Sequence, residues 1–315
     1  SQHMRRAFVF PGQGSQKVGM GKELFDAYRA ARDVFNEVDE ALGQDLSRLI
    51  FEGPFEELTL TENAQPALMA TSLATVKALQ FAGDCRLADH CVFVAGHSLG
   101  EYSALAAANG LSVSEAATLL RTRGRAMQEA APPGAGAMIV LLGLGLDEAR
   151  IVADEAANGG ICTVANDNSP EQLVISGDRA AVERAAAIAG PRGAKCITLP
   201  VSAPFHCALM APAAEVMKAA LAGADIEEPD LPLVSNVSAH ATRDVDEIRG
   251  LLVEQVTAMV RWRESVRFMR DQGVERIVEV GAGKVLSGLA RRIDSGLEAT
   301  CIGTPREVEA FLEVL

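Results

Sequence analysis

The sequence predicts an α/β fold in which a parallel core sheet is interrupted by a small α+β domain. Strand-length apolar runs, such as residues 91–95, alternate with helical patterns, and a fully apolar run suits a strand buried in a parallel sheet. Between the break Pro132-Pro133-Gly134 and Pro200, the chain changes to a series of shorter elements. At 315 residues, the chain is long enough for one large domain that carries such an insert.

The order of the elements supports this division. Before the break, we predict strands at 8–10 and 91–95, helical segments through the twenties to the forties and at 66–81, and a helix ending at 108. Within the insert, we predict a strand at 138–142, a helix at 147–157, strands at 161–165 and 172–176, a helix at 178–189 and a strand at 195–199. This βαββαβ order is that of a ferredoxin-like unit.

After the insert, strands and helices alternate again. We predict strands at 233–237, 276–280 and 299–302, one long helix after Asp244 and another helix from Lys284. The last helix begins at Thr304-Pro305-Arg306-Glu307, a capping box with proline at its first position. The predicted large domain therefore comprises residues 5–131 and 201–315, and the small domain comprises residues 132–200. Residues 1–4 resemble an expression scar ahead of a native start.

Composition excludes several functional classes. Hydrophobic residues make up 49% and charged residues 23%, as in an ordinary globular protein. A formal charge of −13 argues against nucleic-acid binding, which needs a basic surface. No apolar run approaches the roughly 18–20 residues that span a bilayer, and no secretory signal is present. Six scattered cysteines without a CxxC pair predict reduced thiols in a cytoplasmic protein and no metal site.

The pentapeptide Gly96-His97-Ser98-Leu99-Gly100 matches the G-x-S-x-G pattern of a nucleophile elbow. It lies between an apolar strand and a strong helix, and glycines are needed where such a sharp turn crowds its neighbours. The following helix would direct its amide dipoles toward negative charge that develops at the serine. Ser98 is therefore a candidate nucleophile, and the alternative is a plain glycine-rich turn.

A serine nucleophile needs a base, and His206 has the most suitable position among the five histidines. It lies in a loop just after the small domain returns the chain to the large one, although a buried structural histidine is the alternative. His97 should leave the elbow in another direction, whereas His90 and His240 have polar surroundings. No aspartate stands out as the third member of a hydrolase triad, which counts against an esterase.

Arg123 interrupts the apolar face of a helix predicted at about residues 114–130. Arg121 and Arg125 should point to the opposite side, because two residues turn a helix by about 200°, and both can then be solvated. A guanidinium on the apolar face needs a partner. That partner is either an internal carboxylate or a carboxylate on a substrate.

The loop at residues 12–15 resembles the start of a nucleotide-binding motif but does not continue as one. In G-x-G-x-x-G the last position requires glycine, and here it is Lys17. In a Walker A motif the last position requires Ser or Thr, and here it is Glu23. The backbone amides of this loop could instead form one half of an oxyanion hole.

These motifs together resemble malonyl-CoA:acyl carrier protein transacylases over nearly the whole chain. The likeness rests on Phe10-Pro11-Gly12-Gln13-Gly14-Ser15-Gln16, on the extended elbow from Gly96 to Leu105, on Arg123-Gly124 and Met127-Gln128, on Pro200-Val201-Ser202 with His206-Cys207-Ala208-Leu209-Met210, and on Gly283-Lys284-Val285-Leu286. The resemblance implies an α/β-hydrolase-like core with a ferredoxin-like insert. It also implies transfer of a malonyl group from malonyl-CoA to the phosphopantetheine thiol of a carrier protein through a malonyl-serine.

The resemblance assigns roles to individual residues. Ser98 is the nucleophile, His206 the base, Gln13 and Leu99 the oxyanion-hole amides, and Arg123 the ligand of the malonyl carboxylate. Met127 and Phe205 are placed in the substrate pocket. A main-chain carbonyl in Val260-Arg261-Trp262, assigned to Arg261, orients the histidine, which would explain the missing aspartate.

Two positions depart from the family pattern. Many bacterial members have glutamine where Arg261 stands, a change that a backbone contact should survive. Phe205 replaces a serine found in others, and its bulk predicts a preference for malonyl over methylmalonyl.

The resemblance implies malonyl-CoA and holo acyl carrier protein as partners, no metal or redox cofactor, and a monomer. Since carrier proteins are usually acidic, docking needs a local basic patch, for which Arg261, Arg263, Arg267 and Arg270 are candidates. The alternatives are a thioesterase or esterase, a non-catalytic carrier-binding subunit, and an acyltransferase that loads a polyketide synthase carrier.

Overall fold

The computed structural model describes residues 4–201 and 203–315, so residues 1–3 of the predicted expression scar lie outside it. Within these residues the strands are β1 Arg6–Phe10, β2 Phe93–Gly96, β3 Gly136–Leu142, β4 Cys162–Ser169, β5 Gln172–Asp178, β6 Lys195–Thr198, β7 Leu233–Val234, β8 Ala241–Thr242, β9 Arg276–Val280 and β10 Glu298–Ile302.

The α-helices of the same residues are α1 Lys22–Ala27, α2 Arg29–Leu42, α3 Leu46–Glu52, α4 Phe55–Leu58, α5 Thr61–Gly83, α6 Gly100–Ala107, α7 Val113–Glu129, α8 Leu146–Ala157, α9 Arg179–Ala189, α10 Ala211–Ala222, α11 Val245–Glu254, α12 Trp262–Asp271, α13 Val285–Ile293 and α14 Pro305–Leu312. Across the described residues, none of these helices is both long enough and apolar enough to cross a membrane.

The larger sheet has six strands in the order β10-β9-β1-β2-β7-β8. Its first five strands are parallel, and β8 runs antiparallel to β7. Every residue of β1 and β2 is buried, as expected for strands covered by helices on both faces. The predicted α/β class with a parallel core sheet is therefore confirmed.

The smaller sheet is antiparallel, with four strands in the order β4-β5-β3-β6. One face packs with α8 and α9 into a separate apolar cluster that includes Leu141, Val152 and Ile175. The opposite face contributes Met138 and Val174 to the large apolar core. Packing on both faces fixes the small sheet against the larger one.

The single long helix predicted after Asp244 is wrong. Asp244 does cap a helix, since its Oδ1 accepts from the Glu247 amide at 2.8 Å, but this helix, α11, ends at Glu254 and α12 begins only at Trp262. The backbone between the two helices forms hydrogen bonds with β4 instead. The Val260 amide donates to the Ala165 carbonyl at 2.8 Å, and the Val260 carbonyl accepts from the Asp167 amide at 2.9 Å. These bonds tie the segment between the two helices to β4.

Candidate active site

The strand β2 and the helix α6 meet at a tight turn that carries Ser98. Ser98 has a φ of 55°, a left-handed conformation that residues with a Cβ rarely adopt. Neither glycine of this turn can be replaced by a residue with a Cβ, because backbone atoms lie too close. A Cβ on Gly96 would lie 1.8 Å from the Gly100 carbonyl carbon, and one on Gly100 would lie 2.3 Å from the Phe10 oxygen. The predicted strand–turn–helix elbow is present in this geometry.

His206 faces the Ser98 hydroxyl. Its Nε2 lies 2.7 Å from Ser98 Oγ, and its Nδ1 lies 2.9 Å from the main-chain carbonyl of Gln255. Because a carbonyl only accepts, Nδ1 carries the proton and Nε2 is left to accept from the serine. Burial, together with the nearby charge of Arg123, lowers the pKa of His206 to about 3. The imidazole is therefore neutral, the form that a general base requires.

The carbonyl predicted to orient the histidine was assigned to the wrong residue. The Arg261 carbonyl accepts from the Ser265 amide at 3.0 Å, as the first turn of α12 demands, and so does not meet His206. Gln255, at the end of α11, supplies the carbonyl instead. The family departure noted at Arg261 therefore does not concern the orientation of the histidine.

Arg123 is 1% exposed and reaches the same hydroxyl. Its Nη2 lies 3.2 Å from Ser98 Oγ and 2.8 Å from Gln255 Oε1, while its Nη1 lies 2.9 Å from Gln65 Oε1. Within the described residues, it forms no ion pair with a carboxylate, and its Nε has no hydrogen-bond partner. Burial lowers the pKa of this guanidinium. Of the two partners that the sequence left open for Arg123, the internal carboxylate is not the one found.

The prediction that Arg121 is solvated is wrong, whereas Arg125 is exposed as predicted. Arg121 is 8% exposed and donates to the Glu62 carbonyl at 2.9 Å and to Asn63 Oδ1 at 3.3 Å. The reason is that α7 packs against α5 and α2 as well as against α6 and α10, so its second side is also covered. Arg125 forms a surface ion pair with Glu62 at 2.9 Å.

The glycine-rich loop lies against the elbow. A Cβ on Gly12 would lie 2.6 Å from the His97 carbonyl oxygen, so only glycine permits this approach. The side chain of Gln13 donates to Thr61 Oγ1 at 3.1 Å. In the part of the chain that the structure describes, the amides of Gln13 and Leu99 donate to no other protein group.

The two residues predicted to line the substrate pocket are both buried. Met127 is buried, and its Sδ lies 3.8 Å from Gln65 Nε2. Phe205 is 8% exposed, lies in the large apolar core and directly precedes His206. His97 leaves the elbow in another direction, as expected, and its Nε2 lies 2.8 Å from Asn168 Oδ1.

Four polar side chains that the sequence analysis missed surround these groups. Gln65 and Gln255 hold Arg123, Asn236 contacts the Ser98 amide, and Glu101 contacts Asn236. The sequence could have indicated Glu101 and Gln65, because each is a polar residue in a helix segment rich in apolar residues. Asn236 and Gln255 lie at the end of short elements, and the sequence did not indicate them. Among the described residues, no cluster of three or more His, Cys, Asp or Glu side chains is arranged to hold a metal ion.

The arginines of the predicted docking patch are engaged with carboxylates. Arg261 pairs with Glu264, Arg263 with Asp167, and both Arg267 and Arg270 with Asp294. Asp167 is almost fully buried, so Arg263 compensates an internal charge. Arg267 is the most exposed of the four, at 53% of its side chain.

Comparison with known proteins gives one consistent answer. A family model described as "Acyl transferase domain" matches residues 7–312. The malonyl CoA-acyl carrier protein transacylase of Bacillus subtilis strain 168 is 45% identical over 311 residues, which cover 98% of this chain and 96% of that protein.

Solved structures agree. The acyl-carrier-protein-S-malonyltransferase of Bartonella henselae aligns with a TM-score of 0.97 and 50% identity, covering 99% of both chains. A malonyl-transacylase in complex with its type II PKS acyl-carrier protein aligns with a TM-score of 0.95 and 41% identity, covering 99% of this chain and 100% of that one. On this evidence, the chain belongs to the malonyl-CoA:acyl carrier protein transacylase family.

Proposed function

We propose that this chain transfers the malonyl group of malonyl-CoA to the phosphopantetheine thiol of an acyl carrier protein through a malonyl ester on Ser98. The chain is accordingly an acyl-carrier-protein S-malonyltransferase. The observation that carries the proposal is the convergence of two groups on one oxygen: His206 Nε2 lies 2.7 Å and Arg123 Nη2 3.2 Å from Ser98 Oγ. A base and a carboxylate ligand therefore both lie within reach of the nucleophile.

In the first half-reaction, His206 takes the proton of Ser98 as its oxygen attacks the thioester carbonyl carbon. The tetrahedral intermediate collapses when the C–S bond breaks, and the proton on His206 passes to the departing coenzyme A thiolate. In the second half-reaction, His206 takes the proton of the carrier thiol, whose sulfur attacks the serine ester. The C–O bond then breaks, and the proton returns to Ser98 Oγ. These steps use no cofactor, because the coenzyme A thioester is itself the substrate.

The oxyanion of both intermediates is assigned to the backbone amides of Gln13 and Leu99. Support comes from their free N–H groups within the described residues and from the position of Leu99 at the N-terminus of α6. Donors aimed at developing charge in a site that excludes water give large rate contributions. Gly12 allows the Gln13 loop to approach the elbow closely enough for this role.

Arg123 is assigned to the free carboxylate of the malonyl group. Its hydrogen-bond partners are amide and hydroxyl oxygens, which hold the guanidinium in place without pairing its charge with a carboxylate. An acetyl group would occupy the site without neutralising that charge, so it is selected against. The same observation disfavours a plain thioesterase, in which Arg123 would have an internal acidic partner.

The pocket beside the reacting group is assigned to Met127 and Phe205. Both are buried, and Phe205 adjoins His206 in the chain. The bulk of Phe205 is expected to disfavour an α-methyl branch, so that malonyl is preferred over methylmalonyl. Equal turnover of the two thioesters would contradict this assignment.

We assign residues 5–131 and 201–315 to an α/β-hydrolase-like catalytic domain and residues 132–200 to a ferredoxin-like insert. The elbow between β2 and α6 supports the first assignment. The βαββαβ order and the β4-β5-β3-β6 sheet support the second. A monomeric state, a cytoplasmic location and a role in fatty acid synthesis also stay predictions, with the loading of a polyketide synthase carrier as the alternative role.

Product analysis tests the proposed function. Malonyl-CoA is incubated with the protein and with either holo carrier protein or apo carrier, which lacks the phosphopantetheine thiol. Transfer predicts malonyl-carrier with the holo form and little free malonate with either form. Release of malonate at the same rate with both carriers would indicate a thioesterase.

A further inference from the structure

The side chain of Asn236, which follows β7, spans the elbow from one side to the other. Its Oδ1 accepts from the Ser98 amide at 2.8 Å, and its Nδ2 donates to the Gly96 carbonyl at 2.7 Å. Asn236 is fully buried, so neither bond competes with water. One planar amide thus fixes the backbone before and after His97.

These two bonds act where the backbone needs support. Ser98 holds a φ of 55°, which is unfavourable for a residue with a Cβ and persists only where the surroundings determine it strongly. The bond to the Ser98 amide restricts rotation about φ, and φ sets the direction of the Cα–Cβ bond. The side chain of Asn236 therefore influences where Ser98 Oγ points without contacting it.

Asn236 is itself held in place. Its own amide donates to Glu101 Oε1 at 2.5 Å, and its carbonyl accepts from the Arg261 amide at 3.0 Å. Gln255 Nε2 donates to the Ser98 carbonyl at 2.9 Å, which fixes the other side of the serine. Since α6, α11 and α12 all supply contacts, the position of Asn236 does not depend on the elbow alone.

We propose that Asn236 is a positioning residue for acyl transfer: it holds Ser98 so that Oγ lies in line with His206 Nε2 and so that the next amide, that of Leu99, is aimed at the oxyanion. The inference rests on the proposed role of Ser98 as the acyl carrier. It assigns to Asn236 a requirement for one acceptor and one donor on the same planar group.

That requirement suggests a substitution whose hydrogen-bonding capacity depends on pH. In Asn236→Asp, a protonated carboxyl keeps one acceptor and one donor, whereas an ionised carboxylate loses the donor to Gly96. The titratable and charged groups around this position are Glu101 of α6, which accepts from the Asn236 amide, and Arg261, whose guanidinium donates to the Val237 carbonyl. Through Ser98, the elbow also connects Asn236 to Arg123 of α7 and to His206, and His97 lies within the elbow. The effect is therefore read as the ratio of variant to wild-type rate at each pH, which cancels titrations that the two proteins share.

The experiment measures single-turnover acylation by malonyl-CoA in wild type, Asn236→Ala, Asn236→Asp and Ser72→Ala. Ser72→Ala is the matched control, because it removes a buried hydrogen bond, to the Val280 carbonyl at 2.8 Å, away from the elbow. We expect Asn236→Ala to lower the acylation rate constant at saturating malonyl-CoA by about 30- to 100-fold, as small misplacements of reacting groups do. The half-saturating concentration should stay within about twofold, because Arg123 is not altered. For Asn236→Asp, the ratio to wild type should rise by about tenfold between pH 8.5 and 5.5.

Three outcomes would overturn the inference. The first is an Asn236→Ala rate no lower than that of Ser72→Ala at an equal loss of thermal stability. The second is a ratio of Asn236→Asp to wild-type rate that does not change with pH. This result overturns the inference even if Asn236→Ala does not fold. The third comes from Ser98→Ala in the same assay: an adduct that persists there overturns the proposed function, and this inference with it. Loss of that adduct with wild-type acylation by both Asn236 variants overturns this inference alone.

Discussion

The Nη2 atom of Arg123 lies 3.2 Å from Ser98 Oγ, and the other hydrogen bonds of this guanidinium go to the amide oxygens of Gln65 and Gln255. Amide oxygens orient a guanidinium without cancelling its charge, whereas a carboxylate would do both. The site therefore presents an oriented cation next to its nucleophile, and no carboxylate of the described residues is bonded to it. This arrangement suits an acyl group that brings its own carboxylate.

Replacing Arg123 should therefore remove the selection for malonyl. We expect Arg123→Ala to lower acylation by malonyl-CoA by about 10²–10³-fold, since a close charge pair in a buried site is lost. Acylation by acetyl-CoA should fall much less or rise. Intact-protein mass after timed exposure to each thioester measures both rates.

Arg125→Ala is the matched control for Arg123, because it removes an arginine from the same helix at a surface ion pair. It should acylate like wild type. An Arg123→Ala variant that keeps its preference for malonyl over acetyl would contradict the role of the guanidinium.

The side chains of Gln255 and Arg261 should contribute unequally to transfer, because of the two only that of Gln255 contacts Arg123 and the Ser98 carbonyl. Gln255→Ala removes the side-chain contacts to Arg123 and to the Ser98 carbonyl while leaving its own carbonyl in place. We expect kcat to fall by about 10-fold or more, from lost hydrogen bonds to a charged group and to the elbow. Arg261→Ala should stay within about threefold of wild type, because surface ion pairs contribute little. A larger loss in Arg261→Ala than in Gln255→Ala, in steady-state transfer assays, would contradict the greater role of the Gln255 side chain.

Glu101 predicts a pH-dependent change in stability. Burial raises the pKa of this carboxyl to about 7, although hydrogen bonds and Arg123 lower it in part. Between its ordinary pKa and 7, the folded protein keeps a proton that the unfolded chain releases. The contribution of this proton to stability is therefore complete at low pH and is lost as pH rises through 7.

Glu101→Gln mimics the protonated carboxyl at every pH. We expect it to be more stable than wild type by about 3 kcal/mol at pH 8 and by less than about 1 kcal/mol at pH 5, as measured by urea unfolding. Glu254→Gln, the same substitution at an exposed position, is the control and should unfold within about 0.5 kcal/mol of wild type. An equal stability difference at both pH values would mean that Glu101 is ionised in the folded protein.

Two arginines of the predicted docking patch should behave differently. Arg263 pairs at 2.9 Å with Asp167, a carboxylate only 1% exposed, so Arg263→Ala leaves that group buried without its partner. We expect a loss of about 1–3 kcal/mol in the free energy of unfolding. Arg267→Ala, at an exposed pair with Asp294, should cost less than about 0.5 kcal/mol. Equal losses in denaturant titrations would contradict the distinction.

Docking of the carrier protein is therefore better tested at Arg267 than at Arg263. Arg267→Glu should raise the KM for carrier protein several-fold at low salt and less at high salt, because charges at an interface rim act mainly through screened attraction. The KM for malonyl-CoA serves as the internal control. An unchanged KM for carrier protein at low salt would remove this surface from consideration.

The parts of the site that could be predicted from the sequence are those set by local sterics. Gly96 and Gly100 flank Ser98 in the G-x-S-x-G spacing, and both are required by the close backbone packing of the turn, so the elbow could be recognised. The elements of the small sheet were also predicted within a few residues of their observed bounds, since their apolar periodicity is short and regular.

Features set by tertiary contacts could not be predicted. The carbonyl that orients His206 belongs to Gln255, and a main-chain carbonyl has no side-chain signature. The end of α11 depends on pairing of Val260 with β4, which is remote in sequence. Periodicity placed Arg121 on the side of α7 opposite to Arg123, but it could not show that this side is also covered.

Ser98 carries the acyl group in every step of the proposed transfer. Intact-protein mass is measured after brief exposure of wild type and Ser98→Ala to malonyl-CoA, followed by addition of holo carrier protein. We predict a malonyl adduct on wild type that is absent from Ser98→Ala, localises by peptide mapping to Ser98, and moves to the carrier thiol during the chase. A malonyl adduct of equal yield on Ser98→Ala, or malonyl-carrier formed at the wild-type rate by that variant, would contradict it.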